Sequence, residues 1–161
     1  MTSPMDFRLP EQDGAGLEAL SLARVEACLE RHGYAFVEDE EHPQILRARF
    51  DSYPFLFLLA GEEGTILQTR ARWNHSVDVA RKVEMVKLCN EWNMNHVWPK
   101  VYVRREAETV LGMYGEVATD FATGCLDEQI DRAIQCSLTT IIAFFHDLEE
   151  RLGSSIDELD A

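Results

Sequence analysis

Two strand-like segments joined by a four-residue turn limit the fold more than any other feature of the chain. Residues 55–60, FLFLLA, are apolar on both faces, as in a central strand, and residues 65–73, TILQTRARW, alternate in polarity. The intervening GEEG, residues 61–64, supplies the glycines of a tight hairpin loop. A connection this short joins antiparallel strands, so the sequence predicts an antiparallel sheet at the centre of the protein.

The remaining patterns extend this sheet and add helices around it. They predict a helix from Leu17 to Gly33, strands at 34–37 and 44–50, a helix from about His75 to Met94 capped by Asn74 or Ser76, strands at 100–106 and 109–120, and a helix from about Cys125 to Leu152. The order α-β-β-β-β-α-β-β-α is typical of an α+β fold with a mainly antiparallel sheet. We expect one domain, residues 17–152, between a flexible N-terminal arm, residues 1–16, and an acidic C-terminal tail, residues 153–161.

The charge balance narrows the choice of partners. The chain has 29 acidic and 15 basic residues, a formal net charge of −14. Nucleic acids and anionic membrane surfaces are bound mainly through Lys and Arg, so we expect neither as a partner, whereas a basic protein segment suits an acidic surface. The N-terminus lacks a signal-peptide pattern, and no apolar run reaches the roughly 18 residues of a membrane span. Four cysteines without metal-type spacing indicate reduced thiols in a cytoplasmic protein.

The segment LCNEWNMNHVWPK, residues 88–100, holds three of the four asparagines and two of the three tryptophans. On a helical wheel, Asn90 and Asn93 continue the apolar stripe of Val79, Val83 and Val86, so we expect this stripe to face the core. Carboxamides near a helix end can bond its last carbonyl groups and the backbone of the next strand. We therefore interpret the two asparagines as a structural junction.

Two further interpretations of this segment stay open. A second ridge of the same helix, with Met85, Leu88 and Trp92, needs its own cover, from the first helix or from another subunit. The alternative to a junction is a small-molecule pocket lined by Asn90, Asn93, His96 and Trp98.

The N-x-W-N motif of Asn90, Trp92 and Asn93 resembles the hallmark of the YbjN-like family. The preceding helix, the strand pair KVYVRREAETVLGMYGEV and the segment DFATGCLDEQIDRAI also fit, so the resemblance covers about residues 17–151. It implies a fold similar to that of type III secretion chaperones and a role as a bacterial sensory transduction regulator without an established enzymatic activity. It supplies no ligand or catalytic residue, and Cys125 stands where a small polar helix cap is more usual.

The last predicted helix has one broad apolar face, which we assign to the core, and no charged residue between positions 133 and 145. A helix that is apolar all round is buried all round. We therefore expect its second side to contact another copy in a homodimer, unless the first helix or the N-terminal arm covers it. The residues on that second side are Cys136, Thr139, Ile142 and Ala143.

No catalytic, cofactor or metal site is predicted. The chain lacks GxxxxGK[ST], GxGxxG, GxSxG and HExxH motifs. His75 and His96 bracket the predicted second helix, about 30 Å apart, too far to share an ion within one subunit. The acidic run 38–41 with His42 lacks an EF-hand spacing and is interpreted as a solvated turn. Cys125, at a helix N-terminus, is either a redox-active thiol or a small residue at a cap position.

Three hypotheses for function follow. The first is a non-catalytic, cytoplasmic, dimeric regulator or chaperone-like module that binds a protein client through its sheet or helical surface. The second is a small-molecule sensor or enzyme with a pocket near Trp73, Trp92 and Trp98. The third is a subunit that associates only with itself.

Overall fold

A computed structural model of the chain describes residues 16–153. Its elements are α1 (Leu22–Arg31), β1 (Phe36–Glu38), β2 (Ile45–Phe50), β3 (Tyr53–Ala60), β4 (Ile66–Asp78), α2 (Lys82–Asn95), β5 (Lys100–Arg105), β6 (Val110–Asp120) and α3 (Asp127–Leu152). This confirms the predicted α+β class and the order α-β-β-β-β-α-β-β-α. The predicted arm and tail lie outside the described residues, apart from Gly16 and Gly153.

The strands of the described chain form one six-stranded antiparallel sheet in the order β1-β2-β3-β4-β6-β5. The predicted hairpin joins β3 to β4, with Ala60 opposite Ile66. Gly61 and Gly64 in its loop have φ angles of +84° and +66°, which explains the two glycines of the sequence because residues with a Cβ rarely adopt them.

Helices cover one face of this sheet. α3 packs on β4 and β6, α2 packs on β5, and α1 packs on α3. The inward row of Phe55, Ala71, Gly115 and Val101 runs across four paired strands and is buried. A Cβ at Gly115 would lie 3.2 Å from Cγ2 of Ile141, so α3 crosses the sheet in close contact with β6 at this point.

The predicted start of the second helix is wrong. Residues 74–78, including His75 and the proposed caps Asn74 and Ser76, continue β4 as a strand, and a 3-10 turn at Val79–Arg81 precedes α2. Pairing with β6 places Val77 opposite Leu111, and both side chains are buried. Tertiary pairing and burial therefore override a local pattern that also fits a helix.

α1 begins at Leu22 rather than Leu17. Ser21 caps it, because its hydroxyl accepts a hydrogen bond from the N–H of Arg24 at 3.3 Å. The preceding residues pass beside the α3 N-terminus instead, where the carbonyl of Glu18 accepts from the N–H of Cys125 at 3.0 Å. Gly33 follows the helix with a φ of +70°, in agreement with the predicted stop.

Candidate functional site

The middle of α3 carries an accessible, uncharged surface on the side turned away from the sheet. We call its four residues Cys136, Thr139, Ile142 and Ala143 the α3 surface. Thr139 and Ala143 are exposed, and Cys136 and Ile142 are half-buried. The neighbouring positions of the helix, such as Ile141 and Phe144, are fully buried in the core. Within residues 16–153, therefore, no element covers the side for which the sequence predicted a cover.

The hydroxyl groups of this part of α3 bond to the helix itself. Thr139 donates to the carbonyl of Gln135 at 2.9 Å, Thr140 to that of Cys136 at 2.7 Å, and Ser137 to that of Ala133 at 2.7 Å. Back-bonded hydroxyls of this kind present mainly their carbon atoms outward. The surface is therefore largely apolar in character despite the serine and threonines in the sequence.

Two cavities flank the α3 surface. One, of about 480 Å³, lies beside Trp98 and Phe121 and reaches Cys136. The other, of about 430 Å³, lies beside Tyr34 and Phe50 and includes Ile142 and Ala143 among its lining. Gln135 and Thr139 line both cavities. The surface is thus a ridge between two mostly apolar grooves.

The first helix covers only the beginning of α3. Its contacts there are Arg24 with Asp127, at 2.7 Å, and the end of α1 with Asp131. Tyr34, which follows α1, reaches Gln135 with its hydroxyl group accepting from the side-chain amide at 3.2 Å. The cover by α1 considered from the sequence therefore stops about one turn before the α3 surface. The N-terminal arm, the other predicted cover, lies outside the described residues.

Asn93 joins the end of α2 to the edge strand of the sheet. Its amide donates to the carbonyl of Val101 and its oxygen accepts from the N–H of Val101, both at 3.0 Å. Val101 belongs to β5, whose other edge pairs with β6. Asn95 and Asn90 do not share this arrangement, because Asn95 donates to the carbonyl of Glu91 within the helix and Asn90 contacts the sulfur of Met94.

The predicted orientation of α2 is wrong. Val83 and Val86 are 68% and 46% exposed, and Asn90 and Asn93 are exposed as well. The helix instead buries Met85 and Cys89. Leu88 and Trp92 flank this buried face. The ridge of Met85, Leu88 and Trp92, for which the sequence predicted a separate cover, is therefore the side of α2 that packs on the core.

The three tryptophans lie in three different surroundings. Trp73 is fully buried beneath α3 and donates to Glu149 at 3.4 Å, so it lines no open pocket. Trp92 is half-buried and stacks on His96, with the ring centroids 3.7 Å apart. Trp98 is 51% exposed and lines the larger of the two cavities beside α3. A single pocket formed by all three tryptophans is therefore wrong, and only Trp98 belongs to the site.

Cys125 is a buried residue before α3 rather than its first helical residue. The helix begins at Asp127, and the side chain of Gln129 accepts from the N–H of Leu126 at 2.7 Å to close its first turn. Arg24 donates to the carbonyl of Cys125 at 2.9 Å and lies 3.5 Å from its sulfur. With 1% of its surface exposed, this thiol is poorly accessible to an oxidant.

The acidic turn before β2 is organised around one carboxylate. Asp39 accepts from the backbone N–H groups of Glu41 and His42, at 3.1 and 2.8 Å, and from Arg47. The hydrogen bond from Arg47, with the one from His42 N–H, lowers the pKa of Asp39 to about 2. The Asp39 carboxylate is only 8% exposed, whereas Glu38, Glu40, Glu41 and His42 are exposed, so the turn is solvated apart from this one side chain.

Long-range packing also forms a cluster that sequence reasoning missed. Cys28 and His32, at the end of α1, meet Asp131 of α3, and one ligand-type atom of each lies within 4.8 Å of the other two. Burial, with the contact to Asp131, raises the pKa of the Cys28 thiol to about 11. The hydrogen bond from His32 lowers the pKa of Asp131. The signal available was the i, i+4 spacing of Cys28 and His32, but their partner is 103 residues away from Cys28.

Paired charges surround Glu116 on the outward face of the sheet. Glu116 is 6% exposed and accepts from Arg70, Lys100 and Tyr102, each at 3.0 Å, and also from Gln68. Burial alone would raise the pKa of Glu116, but these hydrogen bonds hold it below its usual value. The carboxylate therefore stays ionised and paired at neutral pH.

With this architecture established, comparison with known proteins identifies the class. The chain is an α+β protein whose six-stranded antiparallel sheet is covered by helices on one face. The family model described as "YbjN: Putative bacterial sensory transduction regulator" matches residues 21–150, so the chain belongs to the YbjN family. No curated protein matches the sequence.

A solved relative has the same fold. The crystal structure of YbjN from E. coli, described as a putative transcription regulator, superposes with a TM-score of 0.69 at 13% identity. The match covers 84% of this chain and 96% of that one. In residues 16–153 no helix combines the length and apolar character that a membrane crossing requires.

Proposed function

We propose that this protein is a non-catalytic, cytoplasmic regulatory module that acts by binding protein, and that two copies associate through the α3 surface. The observation that carries the proposal is the uncharged ridge between two apolar grooves on a chain of net charge −14. Its family supports a regulatory role.

The shape of the ridge favours a second copy as the occupant. In a two-fold dimer the same patch of both subunits meets itself, so each patch needs a protrusion and a matching groove. The α3 surface and the cavities beside it provide both, because Thr139 stands between the two cavities. Charge points the same way: two strongly acidic copies repel each other least where their contact carries no charge.

The carboxylates with shifted pKa values have the character of structural ion pairs rather than of general acids. In the described residues, the carboxylates with clearly shifted pKa values are all lowered: Asp39, Glu84, Glu106, Glu116 and Asp131. A carboxylic acid that donates a proton near neutral pH needs a raised pKa instead. Each of these groups is held by a hydrogen bond from a basic side chain, as expected of structural ion pairs.

Solution mass tests the dimer. Ile142→Glu puts a charge at the centre of the ridge, and Ala143→Glu does so at an exposed position where the fold loses no packing. We expect the wild type to be dimeric and both variants monomeric in sedimentation equilibrium, because a charge without a partner is costly to bury. Val83→Glu, which adds the same charge at an exposed apolar position of α2, is the matched control and should stay dimeric.

Circular dichroism and melting temperature confirm that each variant is folded. A wild type that is monomeric at tens of micromolar, or a folded Ala143→Glu dimer as tight as the wild type, would show that the copies do not meet at this surface.

A protein client is the second part of the proposal. The acidic surface suits a basic or amphipathic segment, which would bind on the sheet or on a helical surface that the dimer leaves free. Native capture with the wild type and with Ala143→Glu as matched baits separates two cases. A client held by both baits binds outside the α3 surface, and a client held by the wild type alone either binds at the α3 surface or needs the dimer.

A small-molecule sensor is the alternative function, and one cavity favours it. The cavity beside Trp98 and Phe121 has a volume of about 480 Å³, within the range of small-molecule pockets. A metabolite bound there would quench the fluorescence of Trp98, and the quenching should disappear in Trp98→Phe. Quenching that persists in this variant would place the ligand elsewhere.

A further inference from the structure

We propose that Cys28, His32 and Asp131 form a binding site for a divalent transition-metal ion of the zinc type, which would link α1 to α3. This inference is independent of the dimer and goes beyond the family description. It rests on which ligand atoms the fold brings together.

The geometry brings three donors to one point. Cys28 and His32 are four residues apart at the end of α1, so they lie on one side of the helix, one turn apart. Asp131 reaches them from the second turn of α3, and its Oδ1 lies 3.5 Å from the sulfur of Cys28. All three ligand atoms lie within 4.8 Å of one another. The bond lengths of a tetrahedral zinc ion place its ligands about 3.3–3.8 Å apart, so small shifts of these side chains bring them into range.

The donor set selects the class of ion. A thiolate, an imidazole and a carboxylate suit zinc and cobalt, whereas calcium and magnesium prefer oxygen ligands alone. The direct contact between His32 and Asp131 has to open slightly to admit the ion. The Cys28 thiol gives its proton to solvent as the sulfur–metal bond forms, because thiolate is the binding form.

The surroundings leave space for a fourth ligand. A cavity of about 370 Å³ lies over His32 and Asp131 and is also lined by Asp127, Glu128 and the basic residue Arg31, whose side chain has to turn away when an ion binds. Cys28 closes the site from the core side, because its side chain is fully buried. An ion held here would have three protein ligands and one position open to water or to an acidic side chain at the rim.

Cobalt titration of the tag-free, full-length protein tests the site. Co²⁺ bound by a thiolate gives a charge-transfer band in the near ultraviolet, and Zn²⁺ should abolish that band by competition. We expect one ion per chain in the wild type. His32→Gln and Asp131→Asn, which remove one ligand each at an accessible position, should weaken binding by about tenfold or more. Cys28→Ser should remove the band itself.

Two matched controls show whether the effect is local. His42→Gln removes a histidine that also contacts an aspartate, and Cys136→Ser removes a thiol of α3. Both should bind Co²⁺ like the wild type. Zn²⁺, and not Ca²⁺, should raise the melting temperature of the wild type, since an ion that binds only the native state stabilises it.

Three results would each overturn the proposal. The first is the absence of a thiolate band. The second is a band that survives with unchanged affinity in folded His32→Gln and Asp131→Asn. The third is an equal rise in melting temperature with Ca²⁺ and Zn²⁺, because diffuse attraction to an acidic surface would then account for the binding.

Discussion

Asn93 shows how much one side chain contributes at the edge of the sheet. Its carboxamide bonds both backbone groups of Val101 on the edge strand β5. Asn93→Ala leaves these groups without their partner and should lower the free energy of unfolding by about 1–3 kcal/mol. Urea denaturation measures this change. Asn95→Ala is the control, because Asn95 bonds only within α2, and equal losses in both variants would show that Asn93 has no special role.

Asp39 makes part of the free energy of unfolding depend on pH. Its folded-state pKa of about 2 lies below the ordinary 3.8, so its bonds stabilise the fold above that ordinary value. This contribution is lost as the pH falls through the folded-state pKa. The melting temperature of Asp39→Asn should therefore lie below that of the wild type near neutral pH and approach it in acid. Glu40→Gln, in the same turn, is the control, and a gap that does not change with pH would contradict the prediction.

Single residues were only partly predictable from the sequence. The stripe of Val83 and Val86 and the ridge of Met85 and Trp92 are both apolar, and a wheel cannot choose between them. Packing against the rest of the protein decides which side of α2 is buried, and it buries the ridge of Met85 and Trp92. The contact of Asn93 with the next strand could be predicted from the sequence, because that strand follows α2 closely. The contacts of Asp131 could not be predicted, because only the complete fold brings its partners in α1 close to it.

At the scale of elements, the contact of α3 with β6 depends on a glycine. A Cβ at position 115 would lie 3.2 and 3.3 Å from two carbon atoms of Ile141, so a larger side chain overpacks this contact. Gly115→Val should cost about 1–3 kcal/mol of unfolding free energy, despite the higher strand propensity of valine. Ile141→Ala destabilises the fold by itself because Ile141 is fully buried, but in that background Gly115→Val should cost less than in the wild type. Purely additive effects of the two changes in urea denaturation would contradict the proposed contact.

The elements themselves followed from local sequence with one main exception. Alternating polarity and the GEEG turn were sufficient for the hairpin of β3 and β4 because their register is local. The extension of β4 to Asp78 depends instead on β6, which lies more than 30 residues further along the chain. The local pattern of the segment HSVDV fits either a strand or a helix, so pairing with β6 determines that it is a strand.

At the scale of the whole molecule, the two faces of the sheet differ in what covers them. One face is closed by helices around a common core, and the other holds charges in pairs such as Arg72 with Glu106. The sequence showed that residues 133–145 are uncharged. It did not show that α1 ends short of them, because the packing of α1 is set by contacts with the start of α3. The open α3 surface is therefore a property of the assembled fold.

The same scale predicts how salt acts on the proposed dimer. Two copies of net charge −14 repel each other. Salt screens this repulsion, and the screening length falls from about 10 Å at 0.1 M to about 3 Å at 1 M. The four residues of the α3 surface are uncharged, so we expect no ion pair between them for salt to weaken. Sodium chloride should therefore tighten the dimer several-fold across this range in sedimentation equilibrium. Ala143→Glu, which adds a charge at the contact, should be monomeric at low salt and form some dimer only at high salt, so its association should depend more steeply on salt. A wild-type dimer that weakens with salt would mean that ion pairs join the copies, and the contact would then lie away from α3.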